Sequence, residues 1–208
     1  MTNHAGPASP QCAADMLFHL ARSASHPGGD TALTAAQWAA LRFFARASHP
    51  SRTPSGFARF HATTRGTASQ TVKSLEQLGL LARASSAHDG RSVIFELTEA
   101  GCDCLANDPL RVLEAALEKL PPTEVRRLCD VLQSSMVAVA GDQDEAVLGT
   151  CSDCSNLTEA SEDGAEVPVC GRTGERLETS DFERLCVQFC PTKTGFDDPS
   201  LDRPPESP

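Results

Sequence analysis

The sequence predicts a mainly α-helical fold carrying one small β-hairpin, with a separate, small and irregular cysteine-rich unit towards its end. Three observations predict it. Residues 67–78 place Ala68, Val72, Leu75 and Leu78 on one helical face, with Ser69, Gln70, Lys73, Ser74 and Gln77 on the other. Alternating residues follow at once, then an Asp89-Gly90 turn and the return run Val93-Ile94-Phe95-Glu96-Leu97, which is a hairpin signal. Five of the nine cysteines, Cys151, Cys154, Cys170, Cys186 and Cys190, crowd into one late stretch beyond a polar linker.

Taken in order, residues 10–25, with Cys12, Met16, Leu17 and Leu20, form a first helix that His26-Pro27-Gly28-Gly29 stops. Thr34 and Gln37 make a capping box, opening a helix that buries Trp38, Leu41 and Phe44 or Ala45. Thr53 as N-cap, with Pro54 at the first helical position, starts a third helix through about Thr63, its apolar face being Phe57, Ala58 and Phe60. Thr64-Arg65-Gly66 is the turn into the polar-faced helix, where Thr67 and Gln70 form another capping box and Gly79 is the stop. A helix pair followed directly by a hairpin is the plan of a winged helix-turn-helix. After the hairpin, Thr98 caps a long helix with Leu105, Leu110, Leu113, Leu117 and Leu120, which Asp108-Pro109 interrupts or kinks. Pro121-Pro122 restarts the chain as a last helix over Val125, Leu128, Cys129, Leu132, Met136 and Val139. The first helix and the last two lie outside the minimal winged core and are apolar along one face. This predicts a homodimer, the other reading being that they complete the monomer core.

Charge separates the chain into two units. The formal net charge is −10, yet residues 34–97 hold eight Lys/Arg against three acids, while residues 142–208 hold sixteen acids against five bases. Confined basic charge is the electrostatic footprint expected for phosphate. On the polar helix, Ser69, Gln70, Thr71 and Lys73 are candidates for base edges or nearby phosphates, with Gln70 able to pair bidentately with adenine. Arg65, Arg83 and Arg91 would hold the backbone of double-stranded DNA. The start of the chain carries no secretory signal and no segment reaches the length of a membrane span, so a cytoplasmic protein without membrane contact is expected.

The run Leu33-Thr34-Ala35-Ala36-Gln37-Trp38-Ala39-Ala40-Leu41, the helix-turn-helix from Thr53-Pro54-Ser55 to Leu78-Gly79-Leu80, the wing Asp89-Gly90-Arg91-Ser92 and the start Leu97-Thr98-Glu99-Ala100-Gly101 together resemble the MarR (multiple antibiotic resistance regulator) family, over roughly residues 12–138. The resemblance implies a homodimeric winged-helix transcription regulator, often a repressor released by a small-molecule effector or by oxidation. It also implies that the helix at 68–78 enters the major groove, and that Arg91, held by Asp89 at the wing tip, reaches the minor groove or its phosphates. It names no effector-contacting residue.

The late cysteines lie outside that resemblance. Cys151-Ser-Asp-Cys154 can hold one metal with both thiolates, and distant cysteines close the shell. A unit whose apolar residues are Val167, Val169, Leu177, Phe182, Leu185, Val187 and Phe189 is marginal without a staple, which a metal would supply. A zinc ribbon pairs two tight knuckles, whereas here the second pair, Cys186 and Cys190, is wider and Cys170 stands between. Five cysteines favour an iron–sulfur cluster, with zinc as the alternative and disulfide or thiol switching third. Cys151, Cys154, Cys170 and Cys186 are the preferred ligands and Cys190 the fifth candidate. Cys102 and Cys104 read as packing residues, Cys12 and Cys129 as dimer-core thiols, and His19, His61 and His88 as histidines without a paired ligand.

The predicted organisation is therefore a winged-helix DNA-binding and dimerisation domain at 10–140, a linker at 141–150, a cysteine-rich metal or iron–sulfur module at 151–190, and a disordered tail at 191–208. The function expected is a DNA-binding regulator, a repressor whose operator binding follows the state of the sulfur-bound centre and so senses redox or iron status. A winged-helix protein-interaction module with a structural zinc site is the alternative. No nucleophile triad, phosphate loop or carboxylate pair assigns enzyme chemistry.

Overall fold

Thr34 and Gln37 close the predicted capping box, with the Thr34 amide donating to Gln37 Oε1 at 2.7 Å. From there α2 runs Ala35–Arg46, preceded by α1 at Pro10–Ser25. The computed structural model describes residues 9–25, 33–85, 93–140, 147, 149–162 and 165–192. A single 3-10 turn, His49–Ser51, leads into α3 (Pro54–Phe60) and α4 (Arg65–Gln77). The hairpin pairs β1 (Leu81–Ser85) with β2 (Val93–Leu97), in the register Leu81 to Leu97 and Arg83 to Phe95. The Phe95 amide also donates to the Arg52 carbonyl at 2.8 Å, tying the hairpin to the chain just before α3.

The core is aromatic. Trp38, Leu41, Phe43 and Phe44 of α2 pack on Phe57 and Ala58 of α3, on Ala68, Val72 and Leu75 of α4, and on Leu81 and Phe95 of the hairpin. Phe43 meets Phe44 edge-on at 5.2 Å, and Phe44 meets Phe95 at 6.1 Å. Each buried ring of this kind stabilises the fold by roughly 1.5–3 kcal/mol through removed apolar surface. The predicted burial of Trp38, Leu41 and Phe44 holds, and Phe43 joins them.

Three sequence expectations shift. The third helix ends at Phe60, short of Thr63, because Ala62 enters the left-handed region at φ 46°. The fourth begins at Arg65 under Thr64, whose hydroxyl accepts the Thr67 amide at 3.1 Å, so the cap stands three residues earlier than the Thr67–Gln70 box. Leu78, placed on the apolar face by spacing, caps the helix end and is 53% exposed. Gly79 does end the helix, at φ 72°, where a left-handed residue is needed and glycine has no Cβ to clash.

Beyond the hairpin, the Asp108-Pro109 break is complete: α5 spans Glu99–Ala106 and α6 Arg111–Leu117, before α7 at Pro122–Ala140. Asp108 is buried, bonds Arg42 on α2 through Nε at 2.6 Å and accepts the Leu110 amide at 2.8 Å. Neither α6 nor α7 has a fully buried residue, and on α1 Met16 and Phe18 are 66% and 67% exposed. Within the described chain these helices therefore do not complete the monomer core.

The late unit is more regular than its composition suggested. An antiparallel pair, β3 (Leu157–Glu162) and β4 (Ala165–Cys170), forms its scaffold, in the register Leu157 to Cys170. Leu185 and Phe189 are buried beside it. Gly149 and Thr150, read as linker, are joined to the unit: the Cys186 amide donates to the Gly149 carbonyl at 3.0 Å, and Thr150 bridges to Leu185. At the other end Pro191 bridges to Cys154 and the Thr192 amide donates to Asp153 O at 3.2 Å, so the first residues of the predicted tail also belong to it.

This unit is built onto the winged core. Leu185 bridges Ala47 in parallel, its amide donating to the Arg46 carbonyl at 2.8 Å and its carbonyl accepting the Ser48 amide at 2.7 Å. Arg184 donates to the Ala45 carbonyl at 3.1 Å and the Val187 amide donates to Ser51 Oγ at 3.3 Å.

Candidate nucleic-acid interface and thiol pocket

On α4 the apolar stripe fixes the orientation. With Ala68, Val72 and Leu75 locked in the core, Arg65, Ser69, Gln70 and Lys73 all stand exposed. Ser69 and Lys73 are four residues apart and Gln70 and Lys73 three, so their side chains share one surface. Two polar residues of the helix are engaged instead. Ser74 Oγ accepts from Gln37 on α2 at 2.9 Å, and Thr71, half-buried, donates its hydroxyl to the Thr67 carbonyl at 3.1 Å.

Arg83 on β1 donates from Nε to Glu76 Oε1 at 2.7 Å and lies 5.8 Å over the Phe95 ring. The Glu76 hydrogen bond and charge raise its already high pKa. Its positive charge is thus partly answered within the chain, while its guanidinium stays exposed. Asp89 and Arg91, the wing-tip pair, lie outside the described residues.

A thiol pocket lies where the late unit meets the winged core. A cavity of about 250 Å³ is lined by Cys151, Cys154, Cys170 and Cys186, with Ser48, His49, Pro50 and Ser51 of the winged core forming one wall. Sequence reasoning missed that wall, because nothing in those residues marks a partner a hundred positions away. Cys190 is exposed; its amide donates to Cys154 Sγ at 3.5 Å, and the Gln188 amide donates to Cys186 Sγ at 3.4 Å. Asn156 Nδ2 lies 3.8 Å from Cys154 Sγ.

The four thiols differ in character. Burial, reinforced by the charges of Cys186, Cys154 and Cys170, pushes the Cys151 thiol up to about 11. At Cys170 burial also acts upwards, but hydrogen bonds from the Thr173 hydroxyl and the Thr173 and Arg172 amides outweigh it, holding the thiol below its ordinary value. As placed, no three Cys, His, Asp or Glu side chains among the described residues close into a group that could hold a metal ion. The donor set itself, four sulfurs with amide hydrogen bonds to three of them, suits a metal centre held by thiolates, since such bonds favour the anionic sulfur a metal requires.

The fold and its exposed polar helix define a winged helix-turn-helix protein, carrying a built-on thiol module. Residues 33–92, from the start of α2 to the wing, match the model of the MarR family. Among solved structures, the MarR/EmrR family transcriptional regulator from Acinetobacter sp. ADP1 is 18% identical, covering 63% of this chain and 96% of its own, with a TM-score of 0.50. The transcriptional regulator SlyA is 19% identical over 65% of this chain and 98% of its own, at 0.48. The PcaV regulator from Streptomyces coelicolor, solved with its natural ligand, is 20% identical over 70% and 100%, at 0.45. No curated protein matches the chain. The family match ends before the thiol module begins.

Proposed function

We propose that this chain is a MarR-type DNA-binding transcription regulator, a homodimeric repressor whose operator binding is modulated by a cysteine-ligated iron–sulfur cluster or metal sensing redox or iron status. The observation that carries the DNA reading is α4: its apolar stripe is locked in the core while Arg65, Ser69, Gln70 and Lys73 stand exposed on the basic part of the chain. In this reading Ser69, Gln70 and Lys73 meet base edges or adjacent phosphates, Thr71 orders the helix turn behind them, and Arg65, Arg83 and Arg91 hold the backbone, with Asp89 positioning Arg91.

Homodimerisation is supported by the apolar side chains left exposed on the outer helices: Met16 and Phe18 on α1, Val112 on α6, and Val131 and Val139 on α7.

For the sensor, Cys151, Cys154, Cys170 and Cys186 are the ligand quartet we assign, and Cys190 supports Cys154 through its amide. Burial, reinforced by the neighbouring thiols, opposes ionisation of Cys151, and a bound cation relieves that opposition. When bound, the centre supplies redox or metal responsiveness. The protein's own part is to frame it: Ser48 and the 3-10 turn His49–Ser51 wall the pocket, and the Gln188 and Cys190 amides hold two sulfurs.

The test is anaerobic purification followed by metal analysis, an absorbance spectrum, and filter binding to duplex DNA as salt rises. A coloured protein whose log affinity falls steeply with log salt, by about 0.9 per phosphate neutralised, is the expected result. Stoichiometric zinc in a colourless protein eliminates the cluster, and a flat salt dependence eliminates the DNA reading.

A further inference from the structure

The loop that carries Cys186 faces two ways. Gln188 lines the thiol pocket, and it also lines a second groove of about 410 Å³ at the mouth of the helix-turn-helix. There it stands with Thr53, Ser55, Arg59, Thr63 and Arg65. Thr53 caps α3, Arg59 is in its last turn, Thr63 sits in the inter-helix turn, and Arg65 opens α4. Among the described residues no acid lines this groove, in a chain of net charge −10. The module that meets it is strongly acidic overall, yet the residues it contributes there, Val187 and Gln188, are uncharged.

Building on the DNA reading above, we propose that Gln188 is a DNA-backbone contact supplied by the thiol module, its carboxamide sharing a phosphate with Arg65 in this groove. The Arg65 guanidinium, three hydroxyls and one carboxamide form a donor-rich lining, which is what a phosphate diester needs. The loop is fixed from behind on three sides. Leu185 is bonded to Arg46 and Ser48, the Val187 amide to Ser51 Oγ, and the Gln188 amide to Cys186 Sγ at 3.4 Å. Gln188 therefore presents its side chain from a positioned backbone, and that position is linked to Cys186.

The full-length protein and its Gln188→Ala, Gln188→Asn and Gln188→Glu variants are titrated by fluorescence anisotropy against a labelled duplex of arbitrary sequence, at rising salt. Circular dichroism melts and thiol counts are compared in parallel. Gln188→Ala binds about three- to tenfold more weakly, the loss expected for one hydrogen bond. Gln188→Glu loses more than tenfold at low salt, and that deficit narrows as salt screens it. Gln188→Asn, keeping the carboxamide, stays closer to the wild type than Gln188→Ala. If the wild type binds DNA and all three variants bind like it, the assignment falls while the DNA reading stands. If the variants weaken binding equally, with Glu no worse than Ala or Asn, the loop acts only structurally and the assignment also falls. A wild type that binds no duplex at any salt overturns the DNA reading and the assignment together.

Discussion

Asp108 shows how one side chain can close a fold from a distance. It is buried, bridges to Arg42 on α2, and caps the turn into α6 through the Leu110 amide. Asp108→Ala leaves Arg42 facing a site built for a carboxylate, and should cost on the order of 3 kcal/mol in urea unfolding. The breaker role of Asp108-Pro109 was legible in the sequence; the partner, 66 residues earlier, was not, because no local pattern encodes an ion pair between two helices. His61 gives a pH prediction. Its ring stacks on Phe57 at 5.3 Å, and burial lowers its pKa below the ordinary 6.5. The unfolded chain then takes up a proton first as pH falls, so stability drops from about pH 6.5 down to the folded-state value and is full above that range. Melting at pH 7.5 and 5.5 should show a smaller acid loss in His61→Gln than in the wild type. At the reading helix, Gln70→Ala should cost about 1–3 kcal/mol on a selected binding site and blur sequence preference, as a randomised-duplex selection would reveal. Loss of preference with no loss of folding separates it from a packing residue.

Among the elements, the helix-turn-helix depends on close approach at Gly56. A Cβ there would run into the Ser51 carbonyl, the same residue whose hydroxyl receives the Val187 amide. Gly56→Ala must push the 3-10 turn away from α3, and should destabilise the protein by about 1–3 kcal/mol while loosening the seam to the thiol module, read as faster alkylation of Cys186. The spacing of Ala68, Val72 and Leu75 was enough to orient α4, since burial of an apolar stripe leaves one choice of face. Its first residue was missed because Thr64 and Thr67 are both sound caps, and only the positive φ of Ala62 decides between them. The β3–β4 hairpin was also passed over. Asp163-Gly164 between two short runs was an available signal, hidden by a first strand rich in Glu, Ser and Thr and by Pro168 within the second.

For the whole molecule, two separate facts of charge and packing meet at one seam. The sequence divides a basic winged unit from an acidic cysteine unit, and that division was plain from composition alone. What composition could not say is that the second unit is docked on the first through Leu185, at the end of α2 and the start of the helix-turn-helix. Main-chain bridges between distant segments leave no side-chain pattern to read. The exposed apolar residues on α1, α6 and α7 give the proposed dimer a specific test: sedimentation velocity should find two copies, and Val131→Glu with Phe18→Glu should yield a folded monomer with much weaker DNA binding. If the thiol pocket governs the winged unit as proposed, duplex affinity of one anaerobic preparation, measured at fixed salt with its metal bound and again after chelation, differs at least fivefold in Kd between the two states; identical affinities, with metal release verified, overturn that coupling.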